Sequence, residues 1–139
     1  MARTIQIPVG IVGVAYRTMQ KLSKAIGECI LIYNRATGTD GPHTNTTTNT
    51  AAYALEDSFE IDTGYVPLKE ERTGSRWEAK VYDVKGTFNG TSVQVGFVAI
   101  PLVSTTSTDT VKILVQLWGK NLTDYAGVTF DWVLQELDR

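Results

Sequence analysis

The groups best suited to chemistry in this chain are four carboxylates that lie close together in the sequence: Glu56, Asp57, Glu60 and Asp62. Carboxylate oxygens are the ligands that a hard cation such as Ca²⁺ prefers. Their spacing matches no known calcium loop, and basic side chains between Lys69 and Arg76 could neutralise them. We therefore interpret the cluster as the charged face of a strand and expect no metal site.

The triplet Asp62-Thr63-Gly64 resembles the active-site triplet of aspartic proteases, whose retroviral class consists of small dimeric β proteins. In that chemistry two carboxylates, one from each subunit, share a proton and activate a water molecule. A second element, Leu117-Trp-Gly-Lys-Asn-Leu122, resembles the apolar-apolar-Gly-Arg-Asn-Leu sequence that follows the active-site strand in that family. The resemblance implies a homodimer that uses Asp62.

The chain also departs from the protease pattern around the same triplet. Glu60 stands where that family has an apolar residue, and the bulky Tyr65 follows the glycine. Gly86 and Gly90 suit a tight hairpin better than a glycine-rich flap. A strand that ends in an Asp-Thr-Gly turn explains the triplet by turn propensity alone. We therefore expect no catalytic residue and no enzyme, with the aspartic protease as an alternative.

Metal and cofactor chemistry has few other candidates. His43 has no cysteine or second histidine near it in the sequence, so we interpret it as a solvated loop residue. Cys29 is the single cysteine, which excludes an intramolecular disulfide and a cysteine-rich zinc site, and we interpret it as a small buried thiol. We expect no cofactor.

The three tryptophans are candidates for stacking on sugars, which would make the chain a carbohydrate-binding β-sandwich module. Trp77 and Trp132 share faces with apolar neighbours and are predicted to be in the core. Trp118 lies on the face opposite Val111 and Leu117, beside Leu114, and is predicted to form an exposed apolar patch. Such patches more often bind protein than sugar.

Composition and charge limit the classes of partner. The chain has 139 residues with a formal net charge of −2, which gives no positive field for binding phosphates, so we expect no nucleic-acid partner. The longest apolar stretch, 95–103, is far shorter than the roughly 20 residues that cross a bilayer, and we expect neither membrane insertion nor a signal peptide.

The clearest structural pattern lies in the last third of the chain. Residues 111–118 and 128–134 alternate apolar and polar side chains with a period of two, which is typical of half-buried β-strands. Nineteen threonines add to the β propensity. We predict a mainly antiparallel β protein.

The first third of the chain carries weaker patterns. Residues 1–12 read as an extended arm, in which Pro8 suits an edge position. Residues 13–28 repeat apolar side chains at steps of three and four, which favours a short helix, although residues 28–33 are strand-like. Residues 36–50 are rich in Thr, Asn and Gly and are predicted to form a long surface loop.

The middle of the chain is predicted to form further strands at 58–66 and 76–84. Asn89-Gly90 is typical of a type I′ hairpin turn, and Val93–Val103 reads as a strand whose second half is apolar on both faces. Turns are expected at 104–109 and 119–127. The total of seven or eight strands predicts a sandwich or jelly roll that forms one domain over 13–139.

The segment from Ser107 to Leu137 resembles the closing strands of jelly-roll proteins found on tailed-phage virions. In those proteins a Gly/Asp/Thr turn precedes an apolar strand, a Thr/Asp-rich loop follows, and an apolar strand ends the chain. The resemblance covers about a quarter of the sequence and rests on this pattern.

The resemblance implies a capsid decoration or cement protein of a bacteriophage, assembled in the host cytoplasm and located on the virion. Its function would be structural, and its partners would be the major capsid protein and further copies of itself, most commonly as a homotrimer. The side chains we assign to subunit contacts lie in the arm and on one apolar sheet face: Ile5, Ile7, Val9, Val98, Ile100, Leu114 and Trp118.

Overall fold

The computed structural model describes residues 31–138, of which 73% lie in strands. Residues 32–138 form one compact unit. The strands are β1 (Leu31–Thr46), β2 (Ala54–Asp62), β3 (Arg76–Leu102) and β4 (Lys112–Asp138), and one short helix, α1 (Lys69–Gly74), precedes β3. The predictions for the arm at 1–12, the helix at 13–28, Cys29, Ile5, Ile7 and Val9 lie outside the described residues.

Strand β4 is the centre of the sheet. It pairs with β3 along one side, in antiparallel register from Arg76 opposite Leu137 to Leu102 opposite Lys112. On its other side β2 pairs antiparallel with the first half of β4, and β1 is the neighbour of the second half. Every described strand therefore depends on β4 for its hydrogen-bonded partner.

The alternation predicted for the last third of the chain is confirmed. Val111, Ile113, Val115 and Leu117 are completely buried, while the residues between them are only partly buried. Successive side chains of a strand point to opposite faces, so in this first half of β4 one face builds the core and the other faces outward. The turn predicted at 104–109 is also confirmed, since it connects β3 to β4.

The sheet bends so that its two ends share one core. A straight strand of the length of β4 would extend about 90 Å at about 3.3 Å per residue. However, Ile113 and Val115 from its first half pack in the same cluster as Phe130 and Leu134 from its second half. The sheet must therefore fold back, and its register shifts at bulges in the middle of β3.

The predicted hairpin at Asn89-Gly90 and the predicted connection at 119–127 are wrong. Strands β3 and β4 run through both segments, with Asn89 opposite Asp124. The turn-forming residues serve bulges instead: Gly90, Asn121 and Gly127 have positive φ inside continuous strands. A bulge and a tight turn require the same backbone freedom, which explains the error.

The predicted loop at 36–50 is wrong for residues 36–46, which belong to β1. Gly38 does not form a turn there. A Cβ at this position would collide with the Trp132 ring, so the glycine makes room for a core tryptophan. The threonines suit a strand because their branched Cβ fits a pleated surface.

Within residues 31–138 the structure has four long strands, so the sandwich or jelly roll of seven or eight strands is not confirmed. The strand predicted at 58–66 begins earlier and ends at Asp62, and the strand predicted at 76–84 is the start of β3. No helix in the described part of the chain is long and apolar enough to span a membrane.

Candidate interaction surface

The four described residues that we assigned to subunit contacts lie on one outer face of the sheet. Ile100 is directly opposite Leu114, Val98 is opposite Gln116, and Trp118 is opposite Gly96. Directly opposed residues in an antiparallel pair point to the same face. Together with Leu102, which continues the row on β3, these side chains form what we call the outer strip: Val98, Ile100, Leu102, Leu114 and Trp118.

The outer strip is apolar and accessible. Val98 and Leu102 are 45% and 40% exposed, and the other three side chains are half-buried. On the β2 side the same face is polar, because Ser58 lies opposite Gln116 and Glu60 lies opposite Leu114. The face is therefore apolar at β3, carries Gln116 and Lys112 alongside the apolar residues of β4, and is acidic at β2.

Two residues that sequence reasoning missed extend the strip past Trp118. The Tyr53 ring stacks on the Trp118 ring with centroids 6.2 Å apart, and Leu55 pairs with Trp118 across the strands. Tyr53 is 51% exposed and Leu55 is 46% exposed. No periodic signal marks Tyr53, which precedes β2, so only the folded chain places it here.

The backbone edge of β3 also contributes to this region. Among the described strands β3 pairs only with β4, so it is an edge strand. Pro101 lies on it opposite Ile113 and has no N–H to donate, which is a common way to protect an edge from pairing with another chain. The side chains of the face, rather than the edge, are therefore the more suitable surface for a partner.

Asp62 lies at the end of β2 and organises a turn. Its Oδ1 accepts a hydrogen bond from the Gly64 N–H at 2.9 Å, while the Thr63 hydroxyl donates to the Val111 carbonyl at 2.5 Å. Two hydrogen bonds lower the pKa of the Asp62 carboxyl: the one from Thr110 has the larger effect, and the one from the Gly64 N–H has the smaller. This geometry fits the turn that we preferred for the triplet.

The other acidic residues of the 56–62 cluster do not converge on one site. Asp57 faces inward, where it accepts a hydrogen bond from the buried Tyr125 hydroxyl, and burial together with this bond raises the pKa of Tyr125. Glu56 accepts from the Thr48 hydroxyl at 2.9 Å, and Glu60 points outward. Among residues 31–138 no group of three or more His, Cys, Asp or Glu could hold a metal ion.

The prediction that His43 is a solvated loop residue is wrong. His43 lies in β1, and its ring stacks on Phe59 with centroids 4.0 Å apart and lies 6.0 Å from Phe130. Its Nε2 is 2.7 Å from Asp40 Oδ2. Two aromatic neighbours and one carboxylate hold the ring as part of the packing between β1 and β2.

The predictions for the other two tryptophans agree with the structure. Trp132 is buried in the core. Trp77 is partly buried and packs against the core cluster that contains Trp132. Its indole N–H donates to the Glu71 carbonyl at 3.0 Å.

A charged cluster around two buried carboxylates, which sequence reasoning missed, joins α1 to β1 and β4. Arg35 donates through Nε to Glu136 Oε1 at 2.8 Å and through a terminal nitrogen to Glu71 Oε2 at 3.3 Å. Burial by itself would raise the pKa of Glu136, but hydrogen bonds from Ser75 and Arg35 outweigh it and lower that pKa. A buried carboxylate needs such partners to remain charged.

Arg72 of α1 holds the connection between β3 and β4. It is buried, and its guanidinium donates to three backbone carbonyls, those of Ser104, Ser107 and Asp109, at 2.8–3.0 Å. The short helix therefore acts as a structural support for the loop. The only sequence signal was a run of charged residues, which is the same signal that a solvated surface helix would give.

Comparison with known proteins adds nothing to this geometry: no family model, no curated protein and no solved structure matches the chain.

Proposed function

We propose that this protein is a non-enzymatic structural protein that self-associates through the outer strip. The observation that carries the proposal is the strip itself, a row of apolar side chains that the core of the described residues does not use. Exposed apolar patches of this kind mark surfaces that bind protein.

A second copy of the chain is the occupant that the sequence favours. No charged residue occurs between Gly86 and Thr108, so two copies of the β3 side of the strip meet without like charges. The acidic residues of β2 lie to one side of the strip, where they can stay hydrated. Burying apolar side chains while charged ones remain in water is the usual composition of a protein interface.

We further propose that the assembled protein decorates a virion, bound to the major capsid protein. The support for this step is the resemblance of residues 107–137 to the closing strands of tailed-phage jelly-roll proteins. We also propose that the folded-back sheet corresponds to the two layers of such a jelly roll, since residues from both halves of β4 share one core. A closed trimer is the assembly that the resemblance implies.

The self-association proposal is tested by light scattering over a range of protein concentrations. We expect a mass near three times the 15.3 kDa of the chain. Val98→Asp should convert it to a monomer, because a carboxylate in the strip would have to be desolvated on association. Val84→Asp is the matched control, since Val84 is 37% exposed on the same strand outside the strip.

A monomeric wild-type protein at every concentration would overturn the proposal, as would equal effects of Val98→Asp and Val84→Asp. The virion step needs a separate test. We expect mass spectrometry of purified particles, produced from the genome that encodes the chain, to find it on the capsid. Its absence from those particles would overturn the virion assignment and leave self-association standing.

A further inference from the structure

A shallow cleft with a neutral polar lining lies at the bulged middle of the sheet. Its volume is about 360 Å³, and we call it the neutral cleft. It is lined by one residue from the connection after β1, three from the β3 bulge and two from β4: Asn49, Gly90, Thr91, Ser92, Asn121 and Thr123.

The bulge in β3 and the close approach of β4 build the cleft. Between Gly90, opposite Leu122, and Gln94, opposite Lys120, β3 carries extra residues that project from the ladder. A Cβ at position 90 would collide with the Asn121 carbonyl oxygen, so only glycine allows this approach. The Asn121 N–H donates to the Thr50 carbonyl at 2.9 Å, which holds the connection after β1, with Asn49, beside β4.

Backbone strain is concentrated around this cleft. Four non-glycine residues of the described chain have positive φ, and three of them line the cleft: Asn49 at 55°, Ser92 at 55° and Asn121 at 59°. Glycine would adopt these angles without a steric cost. Residues held in such conformations cluster at active sites and ligand sites.

The chemistry of the lining selects the ligand. Its side chains are amides and hydroxyls, which donate and accept hydrogen bonds but carry no charge. A phosphate or a metal ion would be left without a counter-charge, whereas a sugar offers neutral hydroxyls of matching character. The Tyr53 and Trp118 rings stack on each other, and in the sequence Tyr53 lies a few residues after Asn49 and Trp118 a few residues before Asn121.

We infer that the neutral cleft binds a neutral carbohydrate. This inference is independent of self-association through the outer strip, since the cleft and the strip share no residue. It gives the protein a second function, attachment to a glycan surface.

The inference is tested by NMR titration of the labelled protein with glucose, galactose, mannose and N-acetylglucosamine, with N-acetylneuraminic acid as a charged comparison. We expect at least one neutral sugar to shift the amide signals of the cleft residues. Ser92→Gly and Asn121→Gly remove the polar side chains but keep positive φ accessible. Each should weaken binding about tenfold, the loss expected for one hydrogen bond, without lowering the unfolding midpoint.

Asp83→Gly is the matched control, because Asp83 is the remaining non-glycine residue with positive φ, at 53°, and does not line the cleft. Like the cleft variants, it should not lower the unfolding midpoint, and it should leave sugar binding intact. The inference is overturned if no neutral sugar shifts the amide signals of the cleft residues. It is also overturned if N-acetylneuraminic acid binds as tightly as the neutral sugars. Equal binding by the cleft variants and by Asp83→Gly would also overturn it.

Discussion

The two halves of β4 differ in how many of their faces are covered. In the first half only alternate side chains are buried, so Leu114 and Trp118 remain partly accessible between Ile113, Val115 and Leu117. In the second half Trp132, Val133 and Leu134 are buried in succession, and Glu136 and Leu137 are buried after them. The first half of β4 is therefore covered on one face, whereas residues 132–137 at the end of its second half are mostly covered on both.

This difference indicates which part of β4 stabilises the folded monomer and which part is available for association. A strand half that is covered on both faces contributes buried area on each, and apolar burial is the main source of folding free energy. A half with an open apolar face contributes less to the monomer but offers a surface for another molecule. The end of β4 at 132–137 therefore contributes more to the free energy of folding, and the first half carries the proposed interface.

The largest expected effect is a contrast between two leucines of β4. Leu134 is completely buried, so Leu134→Ala should lower the free energy of unfolding by about 2–5 kcal/mol. Leu114→Ala, on the outer face, should lower it by less than about 1 kcal/mol. Denaturant unfolding measures both, with Val98→Asp present in each protein so that association does not contribute. Equal losses would contradict the placement of Leu134 in the core and of Leu114 on an open outer face.

A smaller effect is expected from acid on the buried carboxylate of the second half. The pKa of Glu136 is lowered in the folded protein from its ordinary value of 4.5, so the stability it contributes is present above that value. This stability is lost as the pH falls through the lowered pKa. We expect the free energy of unfolding to decrease as the pH falls below about 4.5, and to decrease less in Glu136→Gln.

Denaturant unfolding at each pH measures this loss. Tyr65→Phe is a suitable control, because it removes the hydroxyl that donates to Glu71 at 3.1 Å and keeps Glu136 with its partners. An acid dependence as steep in Glu136→Gln as in the wild type would show that other groups dominate.

The smallest effect is expected at the exposed carboxylate beside the first half of β4. Asp62→Asn keeps an Oδ1 that can accept the Gly64 N–H, so the turn and the unfolding midpoint should be unchanged. A peptidase assay of the wild type and the variant tests the aspartic protease alternative at the same time. Peptide cleavage that disappears in Asp62→Asn would establish the protease and refute a purely structural function.

Features that depend on local patterns were predictable from the sequence, whereas features that join distant residues were not. The alternation at 111–118 predicted the buried set and the outer face of Leu114 and Trp118, and the pattern at 93–103 predicted the outer row of Val98 and Ile100, because side-chain direction in a strand follows from its period. The charged cluster could not be predicted, since Arg35 and Glu136 are 101 residues apart. Nor could the neutral cleft, whose residues come from three segments.

The sequence by itself determined the antiparallel β character and which residues of β4 face the core, since both depend on local propensity and a period of two. Only the tertiary structure decided whether a glycine or asparagine makes a turn or a bulge. Gly38 and Gly90 are needed because Trp132 and the Asn121 carbonyl come close to them, and those neighbours are distant in sequence. Local sequence sets which backbone conformations are accessible, whereas the packing of residues distant in sequence selects the one that the fold uses.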